Sequence, residues 1–359
     1  MTPASTLATS VDSTAAASQS LTGFTHEHLN VSTGPRSGLT IIIAVHSTVL
    51  GPALGGCRVW NYGSWDEAVA DALRLSSGMT SKNALAGLAA GGGKSVIALA
   101  PGQKLEGDQR RDAFLDLGDA VEALGGAYMT AEDVGTTAAD MAVVAERTAH
   151  AVGLPEDQGG LGDPGDFTAR GVHSALLEAL RRTHGAADAR DRKITIVGLG
   201  HVGSSLARRL ADEGAQLTLS DINESKRELA AELGAEWAEP AAAHLVPADV
   251  FMPAGVGGML SPQVIDELDT AAVVGPANNQ LAQPNGAEQL AGRGILYAPD
   301  YLVNAGGVLY LGAEGDLDAR LARIDAIGGT LARVFDEAHE QGITTVAAAD
   351  RVVEGMLAR

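Results

Sequence analysis

Apolar positions recur along the chain with two periods, one of about two residues and one of about three and a half. "LTIIIAVHS" (39–47) is a β-branched run bounded by Gly38 and by the turn-prone "HSTVLGPALGG", which predicts a strand. In "SWDEAVADALRLSSGM" (64–79), Val69, Ala72, Leu73 and Ser76 share one helical face, and Ser64 is the N-cap with Glu67 three residues on. "SVIALA" (95–100) predicts a strand, "RRDAFLDLGDAVEALGG" (110–126) a helix, and "AYMTAEDVGTT" (127–137) a strand running into a loop. "PEDQGGLGDPGDF" (155–167) is dense in Gly, Pro and Asp and marks a hinge or boundary. Beyond it, "KITIVGLGHVGSSLARRLADEGAQLTLSDIN" (193–223) reads strand, glycine turn, helix, strand, which is one βαβ unit. "ADVFMPA", "AAVVG" and "GILYAPD" continue as short strands of a doubly wound sheet, and the last stretches, from 318 to 341 and from 344 to 359, are helical. The expected fold class is therefore α/β, with two units and no internal repeat.

Composition narrows the partners. A length of 359 residues allows two domains with their own cores, and a net charge of −20 opposes binding to nucleic acid or to an anionic membrane. No stretch approaches the length of apolar chain that a membrane span needs, so a soluble protein is expected. The single cysteine, Cys57, excludes an intramolecular disulfide and a thiolate metal cluster, which suits a reducing cytoplasm. Residues 1–23 are rich in Ala, Ser and Thr, without the basic start or apolar core of a signal peptide.

Chemistry concentrates in two places. Gly198, Gly200 and Gly203 form G-x-G-x-x-G between a predicted strand and a predicted helix, where glycines allow a tight turn and bring a pyrophosphate to the helix amides. Asp221, at the tip of the next strand, can accept both hydroxyls of an adenosine ribose and repel a 2′-phosphate, which predicts NAD over NADP. "MTSKNALAGLAAGGGKS" (79–95) ends like a nucleotide-triphosphate P-loop, but the required first glycine is Leu88, which argues against an ATPase. It holds Lys82 and Lys94 instead. Two ammonium groups in a glycine-lined cleft lower each other's affinity for protons, and partial desolvation lowers it further, so one can act as a base while the other binds a carboxylate. The nine histidines are scattered and form no catalytic pair. Spacing alone leaves open whether the two lysines are a site or a solvated surface.

"GPALGGCRVWNYGSWDEAVADALRLSSGMTSKNALAGLAAGGGKSVI", "YMTAEDVGTTAADM", "PANNQLAQP" and "ILYAPDYLVNAGGV" resemble the NAD-dependent amino-acid dehydrogenases of the glutamate, leucine, valine and phenylalanine family. The resemblance runs from about residue 25 to the C-terminus. Residues 1–24, by composition, are expected to form a disordered tail; the resemblance implies a substrate-binding and oligomerisation domain (25–150), a Rossmann domain for NAD (151–330), C-terminal helices packing back on the substrate domain (331–359), and catalysis in the cleft between domains. Carried over, Lys82 holds the substrate α-carboxylate with help from Asn304, Lys94 activates water, and Asp133 tunes Lys94 and shuttles protons. Gly55 and Gly56 line the substrate, Asn279 contacts the amino group or the nicotinamide ribose, and Thr168, Ile222 and Ala254 join the glycines and Asp221 around the cofactor. Positions where glutamate enzymes hold the distal carboxylate match Leu54 and Leu311, and with Ala131 and Val308 they describe an aliphatic pocket. The implied reaction is reversible oxidative deamination of a branched-chain L-amino acid to a 2-oxo acid and ammonia by a homo-oligomer, dimer or octamer. A phenylalanine enzyme of the same mechanism and a catalytically silent NAD-binding regulator are the alternatives.

Overall fold

The computed structural model describes residues 24–358, so all but Phe24 of the expected tail lies outside the described residues. The first half is a five-stranded sheet with helices on both faces. Its elements are β1 (His28–Thr33), β2 (Thr40–Ser47), β3 (Ala53–Asn61), α1 (Trp65–Leu85), β4 (Gly91–Leu99), α2 (Gly107–Glu122), β5 (Tyr128–Glu132) and α3 (Ala138–Ala145). The strand order is β1-β2-β4-β3-β5; β2 runs antiparallel to β1 and β4, and β3 runs parallel to β4 and β5.

Two of these strands depart from the expected pattern. β3 begins inside the stretch read as a turn, and β4 starts at Gly91, so the glycine run is strand rather than loop. The reason is crowding. A side chain at Gly92 would collide with Thr80 of α1, one at Gly93 with the Tyr128 ring, and one at Gly55 with the Gly93 carbonyl. Glycine here lets a helix and a tyrosine press against the sheet, a use that composition cannot tell from a turn. Helix α1 also runs two turns past its predicted end, which carries Lys82 onto its last turn. Ser64 makes no capping bond; the Glu67 carboxylate instead accepts from the Gly63 amide at 2.9 Å.

The second half follows with α4 (Gly165–His184), β6 (Lys193–Val197), α5 (His201–Asp212), β7 (Gln216–Ser220), α6 (Arg227–Leu233), β8 (Glu236–Trp237), β9 (Ala248–Pro253), α7 (Pro262–Glu267), β10 (Thr270–Val273), α8 (Gly286–Gly292) and β11 (Leu296–Tyr297). Its parallel sheet has the order β11-β10-β9-β6-β7-β8, the doubly wound arrangement whose switch point falls between β6 and β9. The chain ends in α9 (Asp300–Val303), α10 (Gly306–Gly312), α11 (Leu317–Asp325), α12 (Ile327–Gln341) and α13 (Thr345–Leu357). Helix α13 packs on α1, whereas α12 packs on α4, so the terminal helices touch both halves. One apolar core is shared between them: Leu54, Leu85 and Leu88 of the first half join Val172, Leu176, Ile194, Leu302 and Leu309. Among the described residues no helix is long and apolar enough to cross a membrane.

Candidate active site

Strand register assembles the first part of the site. Leu54 pairs with Gly92 and Met129, Gly56 with Ala131, and Arg58 with Val96. With side chains alternating between faces, Leu54, Gly56 and Arg58 of β3, Lys94 of β4, and Ala131 and the following Asp133 of β5 all point to one side. That is the side covered by α1, which packs on Ala44 and Val96 through Ala68 and Ala72. Residues 82, 94, 131 and 133, distant in the chain, thus converge under the last turn of one helix.

Lys94 is 4 % exposed, and its Nζ lies 2.9 Å from Asp133 Oδ2. Burial lowers its affinity for protons, and Asp133 pulls in the opposite direction without overcoming it. Burial also pushes Asp133 up, but the charges of Lys94 and Arg58 more than offset this and hold its carboxyl below the usual range. The Asp133 backbone is fixed too: its amide donates to Thr136 Oγ1 at 2.7 Å, and that hydroxyl donates to the Cys57 carbonyl at 3.1 Å. Lys82 is half-buried. Burial pushes it down to about 8, aided by Lys94 and opposed by Asp300 at the start of α9 and by Asp133. The two-lysine reading therefore needs a correction in its cause. Desolvation outweighs the mutual repulsion, and the cation that most perturbs Lys94 is Arg58, which sequence reasoning missed.

Arg58 donates through Nε to the same Asp133 oxygen at 3.0 Å and pairs through Nη1 with Asp71 at 3.1 Å. Asp71 also accepts from Tyr62 Oη at 2.8 Å and pairs with Arg74 at 2.7 Å. Arg74 then reaches Asn279 Oδ1 of the second half at 3.3 Å. Asn279 sits in the left-handed region (φ 52°), which Asn tolerates better than most residues, and its carbonyl accepts from the Gly258 amide at 2.8 Å. Only the "R" of "GGCRV" could have hinted at this network, since its partners come from α1 and from the loop after β5.

The other expected substrate contacts divide. A side chain at Gly56 would strike Asp133 Cβ, so this glycine makes room for the site. Gly55 is tightly packed: a side chain there would strike the Gly93 carbonyl and approach Met79 of α1, and its own carbonyl accepts from Tyr128 Oη at 2.7 Å. Asn304 is buried, and both protons of its Nδ2 are engaged, by the Pro276 carbonyl at 3.0 Å and by Asn278 Oδ1 at 2.7 Å. Its Oδ1 has no partner. With both Nδ2 protons engaged, the side-chain atom of Asn304 left for a ligand is an acceptor, and an acceptor suits an N–H donor. Leu54, 2 % exposed, packs where α10 ends, close enough that a side chain at Gly312 would touch its Cδ2. Val308 and Leu311 lie on that helix and are half-buried, as is Ala131 on β5. Cys57 is fully buried, and burial pushes its thiol up to about 12, so it is inert.

The glycine turn of the second half fits a dinucleotide. Gly198 takes φ 107° against Ala254 and Gly255, and a side chain at Gly203 would strike the Gly198 carbonyl. At Gly200, the N-cap of α5, a side chain would meet open space, the place where a pyrophosphate approaches the helix. Asp221 accepts from the Leu199 amide at 2.6 Å and from the Asn223 amide at 2.7 Å, which ties the acidic strand end to the turn. Ile222 beside it is 91 % exposed, and the Ala254 amide donates to Val197 O at 2.8 Å at the switch point. Thr168, on α4, donates to Pro164 O at 3.2 Å and lies against Gly307.

The chain is similar to known proteins over most of its length. Residues 23–150 match the family described as "Glu/Leu/Phe/Val dehydrogenase, dimerisation domain", and residues 218–355 match "Glutamate/Leucine/Phenylalanine/Valine dehydrogenase". The chain is 39 % identical to a leucine dehydrogenase of Thermoactinomyces intermedius, over 92 % of this chain and 90 % of that one. It is 41 % identical to a valine dehydrogenase of Streptomyces albus, over 93 % and 92 % respectively. Among solved structures, the L-tryptophan dehydrogenase of Nostoc punctiforme superposes with a TM-score of 0.81 at 33 % identity, covering 93 % of this chain and 96 % of that one. With similarity extending through both halves and both sites, this chain belongs to the Glu/Leu/Phe/Val dehydrogenase family of amino-acid dehydrogenases.

Proposed function

We propose that the protein catalyses reversible, NAD-dependent oxidative deamination of a branched-chain L-amino acid, giving a 2-oxo acid and ammonia. The observation that carries this reading is the buried Lys94–Asp133 pair at 2.9 Å, on the same sheet face as the apolar Leu54 and Ala131 and under the helix that bears Lys82. In its charged form Lys82 binds the α-carboxylate, and Asn304 Oδ1 accepts a hydrogen bond from the α-amino group. NAD, bound at Gly198, Gly200, Gly203 and Asp221 with Thr168, Ile222, Ala254 and Asn279 around it, would accept the Cα hydride. Lys94, unprotonated, takes a proton from water as that water adds to the imine carbon and returns it to nitrogen; as ammonia leaves, Lys94 takes the remaining hydroxyl proton and passes it to solvent as the one proton released. Asp133 steadies the Lys94 charge that appears in between. The net balance is one amino acid, one water and one NAD⁺ converted to one 2-oxo acid, one ammonia, one NADH and one proton. The fixed cation beside the developing oxyanion is the type of preorganised electrostatics that lowers such barriers.

Leu54 and Leu311 support an aliphatic side chain. A γ-carboxylate buried against them without a partner would lose several kcal/mol. A single methylene is worth only about 1–3 kcal/mol of selectivity, so the preferred chain length is read by assay. Initial rates of NADH formation with L-valine, L-leucine, L-isoleucine, L-phenylalanine, L-tryptophan and L-glutamate are expected to be highest for an aliphatic substrate. An aromatic preference would overturn the pocket and keep the mechanism; cofactor binding with no turnover on any substrate would return the reading to a silent regulator. The matched dimerisation domain supports a homo-oligomer.

Asp221 supports NAD over NADP by charge. Asp221→Asn keeps an acceptor for the Leu199 amide and removes the anion. The preference for NAD, measured as the ratio of kcat/KM for the two cofactors, is expected to fall about tenfold or more, the ~1.4 kcal/mol scale of one removed like-charge contact. An unchanged ratio would locate cofactor choice elsewhere.

A further inference from the structure

We propose that Arg58 is a positioning residue of this reaction: it fixes the Asp133 carboxylate and takes a share of the oxygen that Lys94 pairs with, so that Lys94 gives up its proton more readily. The inference rests on the reading of Lys94 as the base. Its geometric basis is a shared acceptor. Lys94 Nζ and Arg58 Nε both contact Asp133 Oδ2, at 2.9 and 3.0 Å, so one anion serves two cations.

Arg58 is itself held from behind. Asp71 binds its Nη1 and is braced by Tyr62 and Arg74, so the guanidinium cannot swing away when Lys94 changes charge. A planar fork with separate donors for Asp133 and Asp71 is what this bridge requires, and a lysine ammonium at the same place lacks it. Without Arg58, Asp133 would turn its whole charge on Lys94, and Lys94 would hold its proton to higher pH. The other charged or titratable groups around Lys94 do not replace it. Lys82 comes from α1, and Asp300 of α9 acts on Lys82. Cys57 of β3 is neutral, and His46 of β2 is hydrogen-bonded to Thr80 Oγ1 at 2.8 Å.

The chain has five lysines, so the Lys94 signal can be followed by NMR of protein carrying [13Cε]lysine, in the full-length enzyme and without turnover. In Arg58→Gln, the titration midpoint of Lys94 is expected to move about one pH unit upward. In Arg58→Lys, which keeps the charge but not the fork, it should fall between the glutamine variant and the wild type, and this variant carries the test if the first does not fold. Turnover should show the same displacement: a loss of roughly tenfold below the new midpoint with the high-pH plateau and the NAD affinity retained. A merely structural role would lower the plateau and leave the midpoint in place. A Lys94 midpoint equal to wild type in the folded variants would overturn the proposal. A displaced midpoint with an undisplaced pH–rate profile would sustain the role of Arg58 and overturn Lys94 as the base.

Discussion

Replacing Lys94 with alanine is expected to lower turnover at least a thousandfold while the protein still folds and still binds NADH. The expected loss follows from the position of the side chain. The groups in contact with Lys94 cannot take its place: Arg58 is permanently charged, Asp133 is held ionised by two cations and is a weak base, and Cys57 faces away and stays neutral. Loss of a positioned base costs typically 10²–10⁴-fold. Loss of the ammonium that Lys94 becomes on taking that proton removes electrostatic stabilisation as well. Folding should survive because Asp133 keeps its Arg58 partner, so the deletion leaves no lone buried charge. Initial rates with the best amino acid, a fluorescence titration with NADH and a melting curve are the three measurements. Substantial turnover in Lys94→Ala would move the base assignment to another group, and loss of NADH binding would indicate that the variant had damaged the interface between the halves.

The second large effect concerns Lys82 and pH. Its ammonium is pushed down to about 8, chiefly by burial. Only the charged form attracts a carboxylate. Binding is therefore complete below pH 8 and is lost as pH rises through that value, and the dissociation constant should climb tenfold for each further pH unit. An amino-acid substrate would confuse this with ionisation of its own amine. The clean probe is competitive inhibition by a branched carboxylate that lacks the amino group. Lys82→Ala should weaken that inhibitor about 10- to 100-fold at pH 7, the ~1.5–3 kcal/mol of a hydrogen bond to a charged group. It should also flatten the pH dependence. An inhibitor that binds the variant with the wild-type pH profile would assign the carboxylate to another cation, and Arg74, beside Asn279, would be the next to replace.

Lys82 and Lys94 could be picked out of the sequence because lysines are few and because their flanking motifs resemble a known family. Their environment could not. "GGGK" suggested a loop that admits a small ligand, and the glycines turned out to admit α1 and the Tyr128 ring. Asn304 was identified by motif as a helper for the carboxylate, and only the structure shows that its Nδ2 protons are engaged by Pro276 and Asn278 while its Oδ1 is free. Arg58 was passed over altogether, although it contacts the same oxygen as Lys94. In each case the missing information was a non-local contact, since a side chain's free donors are known only after its partners are.

The sequence by itself determined the dinucleotide half. The fingerprint from Ile194 to Asp221 is a local structure: its turn, helix start and acidic strand end lie within thirty residues, so spacing specifies the geometry. It also determined the α/β class, because hydrophobic periodicity reports which face each element buries. Only the tertiary structure decided the substrate half. Register places Leu54, Arg58, Lys94, Ala131 and Asp133 on one face, and a shift of one residue in any of the three strands would have turned its members to the other. The acidity of Lys94 and Lys82 was decided there too, because desolvation depends on how completely α1 and the second half cover them, and that cover is built from segments hundreds of residues apart.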